Sequence, residues 1–413
     1  MQQQVEHLRD CYRDSGCQHL LIVGFGKAAP AMAGALVESL GALVDTGLIV
    51  TKYAHVSTPL PEKIRVYEAG HPVPDANGLR ATGEIFNLVQ KADTRTLIIT
   101  LISGGGSALL VAPQEGISLA DKQQTTTLLL KAGADIFELN TVRKHLSRIK
   151  GGRLAEAAYP AKVVSLILSD VIGDRLDVIA SGPTAPDPTT YGEALAVLDR
   201  YHLNNQVPPP VLDLLRRGYR GEVPETPKAD SSFFRKVENL IVGSNRQALA
   251  AAARRARELD FEGDILADDQ MGEASEMGRR LARQALTAAN SQQGNARLCL
   301  LAGGETTVTV RGQGKGGRNM ELALAFAMEI EGAPGITLLS AGTDGGDGPT
   351  DAAGAIVDGS TVTKARELGI DPQVYLDDNN SYDFFKQVGG LLVTGPTGTN
   401  VMDIQIVLIG GKP

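Results

Sequence analysis

A rhythm repeated along the chain constrains its fold more than any other feature. Short, almost wholly apolar runs at residues 18–23, 96–102, 162–169, 298–302 and 336–340 each end in a loop of glycine, serine or aspartate, and helix-period segments recur between them. Runs apolar on both faces are strands of a sheet covered by helices on both sides. Such folds place ligands in the loops at the carboxyl ends of the strands. Because the rhythm occurs in both halves, it predicts an α/β protein of two domains with largely parallel, Rossmann-like sheets and an active-site cleft between them. A length of 413 residues also exceeds what one core ordinarily serves. Pro208 to Pro210, the stretch from Glu222 to Lys228 and Ser231-Ser232 mark a boundary, giving domains at 1–230 and 236–413.

The richest loop lies in residues 298–329. The strand 298–302 runs into Gly303-Gly304-Glu305, a β-type run follows at 306–310, and then come Gly312, Gly314, Gly316 and Gly317. Arg318 and Asn319 stand directly behind, before a helix opening near Met320. So dense a set of glycines lets a backbone approach something closely and turn its N–H groups toward it. A helix N-terminus behind the loop favours an anion, and Lys315 and Arg318 add full charges. A flexible hairpin tip would explain one such loop; the recurrence of similar loops argues against that reading. Gly24, Gly26 and Ala29 satisfy G-x-G-x-x-A between a strand and a helix at 28–40, with Lys27 inside the turn and aimed at whatever anion sits there. The match is weak alone. The next strand, 47–50, ends in Thr51-Lys52 instead of the acidic residue that holds an NAD ribose, which counts against NAD. Ser103-Gly104-Gly105-Gly106-Ser107 closes the strand 96–102 as an oxyanion or phosphate cradle, and no Walker loop occurs.

Residues 140–158 form the basic cluster an anion site requires. Read as a helix, they bury Val142, Leu146 and Ile149, and set Asn140, Arg143, Lys144, Ser147 and Lys150 on an adjoining polar stripe. A charged helix face is usually just solvated. The interspersed Asn and Ser, Gly151-Gly152 and the scarcity of acidic partners favour a ligand. Asp170 follows the strand 162–169, at a position suited to a metal or ligand group and equally to an N-cap, and a long loop continues to Asp187. Asp344, Asp347 and Asp351 follow the strand 336–340 and could hold a hard cation; magnesium shared with a phosphate suits them better than calcium. Asn400 ends the last loop before the strand 404–409, and His71, between Gly and Pro, reads as a hydrogen-bonded loop histidine.

Composition narrows the partners. A net charge of −8 argues against nucleic acid or an anionic membrane. No apolar run approaches the ~20 residues of a membrane span. The first 16 residues are polar and helix-like, without the apolar core of a signal peptide. Cys11, Cys17 and Cys299 show no metal spacing, and the expected location is the cytoplasm.

GFGKAA (24–29), LISGGGSALL (101–110), NTVRKHLSRIKGGRLA (140–155), LSDVIGDRLDVIASGPTAPDPTT (168–190), GGETTVTVRGQGKGGRN (303–319), TDGGDGPTDAAGA (343–355) and TGPTGTNVMDIQI (394–406), in this order, resemble the type II glycerate 2-kinases. Many of these proteins have been labelled hydroxypyruvate reductase, and their C-terminal module is the MOFRL domain. The resemblance covers nearly the whole chain. It implies transfer of the γ-phosphoryl of ATP to the 2-hydroxyl of D-glycerate with Mg²⁺, small-molecule partners only, and a site compatible with a homo-oligomer. The catalytic pair it implies falls on Lys27 and Arg318. Substrate or nucleotide contacts fall on Gly24, Gly26, Ser103 to Ser107, Asn140, Arg143, Lys144, Ser147, Lys150, Asp187, Glu305, Gly316, Gly317, Asn319 and Asn400, with Asp170 and Asp344 for the metal. One departure is Met320, where the family has Gln.

Overall fold

The computed structural model describes residues 2–56, 59–291 and 296–410. Its contacts separate two units, Met1–Ser169 with Asp174–Val242, and Asp170–Gly173 with Gly243–Pro413. The division falls some residues beyond the expected boundary, because residues 237–243 join the first sheet as a strand.

In order, the first unit contains α1 (Gln2–Asp14), β1 (His19–Phe25), α2 (Ala29–Leu40), β2 (Thr46–Lys52), β3 (Ile64–Ala69), α3 (Ala76–Val89) and β4 (Thr96–Ile102). Then come α4 (Gly106–Leu109), α5 (Leu119–Lys131), α6 (Ile136–His145), α7 (Arg153–Ala158), β5 (Lys162–Leu168), α8 (Tyr191–Arg200), α9 (Pro209–Tyr219) and β6 (Val237–Gly243). The sheet order is β3-β2-β1-β4-β5-β6. β1 pairs in parallel with β2 and β4, as do β2 with β3 and β4 with β5. The order therefore reverses between β1 and β4, and such a switch point opens a crevice at the carboxyl ends of the two strands. β4 is buried at every residue, as its unbroken apolar run requires. Leu20, Ile22, Ile49, Leu97, Ile99 and Val164 form the core on one face, and the helices α5, α6, α8 and α9 pack their own cluster around Leu139, Val142, Tyr191 and Leu215.

The helix expected over 140–158 is broken. α6 ends at His145 and α7 begins only at Arg153. Gly151 and Gly152 both have positive φ, of 57° and 84°, which no helix interior holds. Ser147 and Lys150 therefore stand on the connecting loop, not on a helical stripe.

The second unit runs α10 (Asn245–Glu258), β7 (Glu262–Gln270), α11 (Ala274–Ser291), β8 (Leu298–Gly304), α12 (Arg318–Glu329), β9 (Ile336–Gly342) and β10 (Gly354–Asp358). It ends with α13 (Thr361–Glu367), α14 (Pro372–Asp377), α15 (Ser381–Val388), β11 (Leu391–Leu392) and β12 (Asp403–Ile409). Its sheet, in the order β11-β10-β9-β12-β8-β7, is mixed. Only β7 and β8 pair in parallel; β12 lies antiparallel between β8 and β9, and β10 antiparallel to β9. The two-domain α/β class holds, but parallel pairing is confined mainly to the first sheet. The residues joining β9 to β10 contain no helix, and a parallel return needs a crossover of roughly a dozen residues or more, usually helical. Burial alternates along β9 and β12, which is the pattern of half-covered strands.

Residues 306–310 form no strand and make one isolated bridge, Glu273 to Thr307. α12 starts at Arg318, two residues before the expected opening, and is buried nearly all round from Asn319 to Ala327. Met320 is fully buried in this core, so the departure from the family's Gln is an apolar side chain in an apolar place.

Candidate functional site

At the switch point of the first unit the loops after β1 and β4 lock together. Lys27 N donates to Gly104 O at 2.9 Å, Ser103 N to Phe25 O at 3.2 Å, and Ala28 N to the buried Ser103 Oγ at 3.0 Å. Gly26 has φ of 127°, and a Cβ on it would stand 2.2 Å from Ser103 Oγ, so only glycine permits this approach. Lys27 is half-buried at the start of α2. Gly105, also left-handed, faces Lys27 and His71: a Cβ there would lie 3.0 Å from the imidazole. Burial, followed by the charges of Lys27, Lys52 and His55, lowers the His71 pKa to about 4, so the ring is neutral at pH 7. The sequence reads His71 as a hydrogen-bonded loop histidine, because its flanking Gly and Pro carry no sign that its neighbours are cationic.

Behind this cradle lies a buried polar network. Ser107 Oγ is 2.7 Å from Ser181 Oγ, which donates to Asn140 Oδ1 at 2.9 Å. Lys150 Nζ donates to Ser107 O at 2.8 Å and to Ala180 O at 3.4 Å. Ala180 and Ser181 sit at φ of 50° and 63°, a conformation that costs non-glycine residues on the order of 1–3 kcal/mol each. Ser147 Oγ accepts from the N–H groups of Ile149 and Lys150, and so shapes the loop that carries this lysine.

Charge is distributed unevenly in this network. Lys144 is paired: its Nζ lies 2.7 Å from Asp187 Oδ1, with both side chains almost wholly buried. Burial opposes the charge of Asp187, but Lys144 and Thr189 hold its pKa below the usual carboxylate range. Lys144 and Asp187 thus neutralise each other inside the first unit. Lys144→Ala, which leaves Asp187 charged, with Thr189 as a hydrogen-bond donor but without its counter-ion, is expected to cost about 3–5 kcal/mol, read as a fall in the unfolding midpoint.

Lys122, Arg143 and Lys150 are different. Among the described residues none of the three forms an ion pair with a carboxylate. Lys122 is buried, donating to Leu146 O at 3.3 Å, and its pKa falls to about 7 through burial and then the charge of Arg143. Burial, then Lys122 and Arg143, lowers that of Lys150 well below the lysine range, and burial lowers Arg143 to about 10. Three basic groups within each other's field, with no carboxylate beside them, hold their protons poorly until an anion joins them, which makes them a candidate anion site. Lys122 was missed from sequence because it lies on α5, outside the basic run at 140–158.

In the second unit Arg318 opens α12. Its Nε and Nη2 grip Asp403 in a two-point contact of 2.5 and 3.0 Å, and Nη1 donates to Glu305 at 2.8 Å. Burial works against its charge, but Asp403 and Glu305 raise its pKa above the ordinary arginine value. The guanidinium is one-third exposed while Asp403 is buried, so the carboxylate fixes an arginine that still reaches solvent. The glycine loop before it is committed elsewhere. Arg311 N and Gly312 N donate to Asn379 Oδ1, Gln313 N to Asp378 Oδ1, and Lys315 N to Asn380 Oδ1. Cβ atoms on Gly312, Gly314, Gly316 and Gly317 would meet Asp378, Asn380, Ser381 and Asp347 within 2.3 Å. The close approach these glycines permit is to the chain's own segment at 378–381 and to Asp347.

The N-terminus of α12 is likewise filled by protein, since Asp347 accepts from Asn319 N at 3.1 Å and Met320 N at 2.8 Å. Burial raises the Asp347 pKa to about 6, beyond what those N–H groups counteract. Asn319 Oδ1 accepts from Ser340 Oγ at 2.8 Å, and Asn400 Oδ1 from Met402 N at 3.1 Å. The three aspartates expected to share a cation are thus separated: Asp347 caps a helix and Asp351 accepts from Tyr382 Oη at 2.8 Å. Asp344 keeps company with Asp403, since a Cβ on Gly342 would stand 3.3 and 3.5 Å from their Oδ1 atoms. With Asp403 committed to Arg318, the carboxylate left for a cation is Asp344, and Mg²⁺ takes one or two carboxylates and fills its shell with water and phosphate. Asp170 belongs to the short segment after β5 that groups with the second unit.

A family model described as a domain of unknown function, DUF4147, matches residues 1–216, and the MOFRL family model matches residues 298–403. The chain is 46% identical to a D-glycerate 2-kinase of Thermotoga maritima over 94% of its own length and 90% of that protein's. It is 44% identical, over 94% and 87%, to a protein of Agrobacterium vitis that carries a hydroxypyruvate reductase label. The crystal structure of a glycerate kinase from Thermotoga maritima superposes with a TM-score of 0.88 at 45% identity, covering 98% of this chain and 95% of that one. Among the described residues no helix is long and apolar enough to cross a membrane.

Proposed function

The chain belongs to the glycerate 2-kinase family, and from that premise we propose that it transfers the γ-phosphoryl of ATP to the 2-hydroxyl of D-glycerate, yielding 2-phosphoglycerate and ADP. The 2-oxygen attacks the γ-phosphorus, the bond to the β,γ-bridging oxygen breaks, and the hydroxyl proton is released. The observation that carries the substrate assignment is the trio of buried Lys122, half-buried Arg143 and buried Lys150, none of which has a carboxylate partner among the described residues. A small acid supplies the negative charge that lets these desolvated groups keep their protons. Lys27, beside the cradle of Ser103 to Ser107, and Arg318, fixed by Asp403, neutralise charge developing on the transferred group. Neutral His71 and left-handed Gly105 shape the wall next to Lys27. Mg²⁺ would be held by Asp344, with Asp170 as the further candidate, and would supply charge neutralisation on the nucleotide phosphates.

The reductase reading has G-x-G-x-x-A in its favour. Against it, β2 ends in Thr51-Lys52 in place of the acidic residue that holds a dinucleotide's ribose. Pure protein given D-glycerate, ATP and Mg²⁺, with enolase and no phosphoglycerate mutase, is expected to form phosphoenolpyruvate. A signal only after mutase is added would move the transfer to the 3-hydroxyl. Hydroxypyruvate-dependent oxidation of NAD(P)H with no kinase signal would overturn the proposal.

The pH dependence follows from Lys122. Its pKa, about 7, is depressed, so between pH 7 and the ordinary lysine value the unfolded chain binds more protons than the native one, and stability rises with pH across that window. Substrate binding has the opposite sign. The carboxylate favours charged Lys122, so binding takes up a proton above pH 7, and KM for D-glycerate is expected to climb up to about tenfold per unit. Lys122→Met, which carries no titrating group at that position, should lessen that climb to what Lys150 contributes. An equal climb in the variant would remove Lys122 from the site.

A further inference from the structure

We propose that His7, Cys11 and Glu238 form a zinc-binding site in the first unit, apart from the kinase chemistry. His7 Nε2 lies 3.0 Å from Glu238 Oε2 and 3.5 Å from Cys11 Sγ, and Sγ lies 4.0 Å from the same carboxylate oxygen. Among the described residues this is the one grouping of three or more such side chains whose ligand atoms all lie within 4.8 Å of one another. With Zn–N and Zn–O near 2.0–2.2 Å and Zn–S near 2.3 Å, tetrahedral zinc sets neighbouring donors roughly 3.3–3.6 Å apart. The three separations bracket that range, so small side-chain shifts would seat the ion.

The cysteines show no metal spacing because the site is assembled from two elements. His7 and Cys11 are four residues apart on α1 and share one helix face. Glu238 comes from β6, at the edge of the sheet and more than 220 residues along the chain. An ordinary His–Glu ion pair accounts for two of the three groups. It does not account for the thiol, which converges on an Nε2 that has a single proton or lone pair to offer and already spends it on Glu238.

A thiolate, a carboxylate and a neutral imidazole together carry two negative charges, which match Zn²⁺, and the sulfur selects against magnesium and calcium. Cys11 is buried, whereas His7 and Glu238 are 41% and 37% exposed, so the fourth position opens to water. Bound zinc would pin α1 to β6. Because the thiol releases a proton on binding, affinity should rise with pH.

The test is a titration of the metal-stripped full chain with Zn²⁺ in competition with a chromophoric chelator, together with Co²⁺ substitution. One ion per chain is expected, with a thiolate-to-cobalt charge-transfer band. Cys11→Ser should weaken binding at least 100-fold and abolish the band. The isosteric Glu238→Gln should weaken binding at least tenfold, and Cys17→Ser should leave it unchanged. Enolase-coupled turnover should stay within twofold of wild type in all three, since none of these residues lies in the kinase site. Absence of stoichiometric binding, binding that survives both Cys11→Ser and Glu238→Gln, or cobalt bound without the band would each overturn the proposal.

Discussion

Arg318→Ala is expected to lower kcat on the order of 10³-fold and also to destabilise the second unit. The first effect follows from removing a fixed positive group aimed at developing charge, where loss of one such donor commonly costs about 10²–10³ in rate. The second follows from Asp403, which is 1% exposed and would lose its two-point partner. Leaving one member of a buried pair uncompensated costs about 3–5 kcal/mol. Arg318→Lys separates the two effects, because it keeps a charge near Asp403 but cannot reproduce the planar fork. It should recover much of the stability and little of the turnover. Single-turnover rates and unfolding midpoints measured on both variants decide the matter. Near-normal turnover in Arg318→Ala would take the residue out of the chemistry and leave it a structural ion pair.

Lys27→Ala should lose a comparable 10²–10³ in kcat while the fold is retained. The side chain is only half-buried, and the loop that carries it is held by backbone contacts to Gly104 and by Ser103 Oγ, none of which the substitution removes. A second readout does not depend on turnover. The charge of Lys27 ranks just behind burial among the causes that lower the His71 pKa to about 4. Its removal should therefore raise the imidazole pKa in an NMR titration, and an unchanged His71 would mean that Lys27 points away from the cradle. A shifted His71 with normal turnover would place Lys27 in the cradle but outside the reaction.

Local pattern was sufficient wherever an element depends on its own residues. The apolar run at 96–102 forecast β4 to the residue, since seven consecutive apolar or β-branched side chains have no stable place except inside a covered sheet. The glycines at 24 and 26 forecast a tight turn, and the order of the glycine, serine and basic motifs identified the family. Tertiary structure decided the features that depend on partners distant in sequence. Lys144 and Arg143 are adjacent in one basic run, yet the first is neutralised by Asp187, 43 residues away, while the second has no carboxylate beside it. The glycines at 312–317 signalled close approach, but the partner, the segment at 378–381, carries no complementary signal of its own. β12 joins its sheet antiparallel because the closing segment inserts between β8 and β9, a choice its alternating residues allow but do not specify. Periodicity reports how a residue relates to its chain neighbours, whereas desolvation and Coulomb energy depend on what surrounds it in space. The strands, turns and family were therefore legible in the sequence, while the charge state of the buried cations, the capping of α12 and the meeting of His7 and Cys11 with Glu238 were settled only by the folded chain.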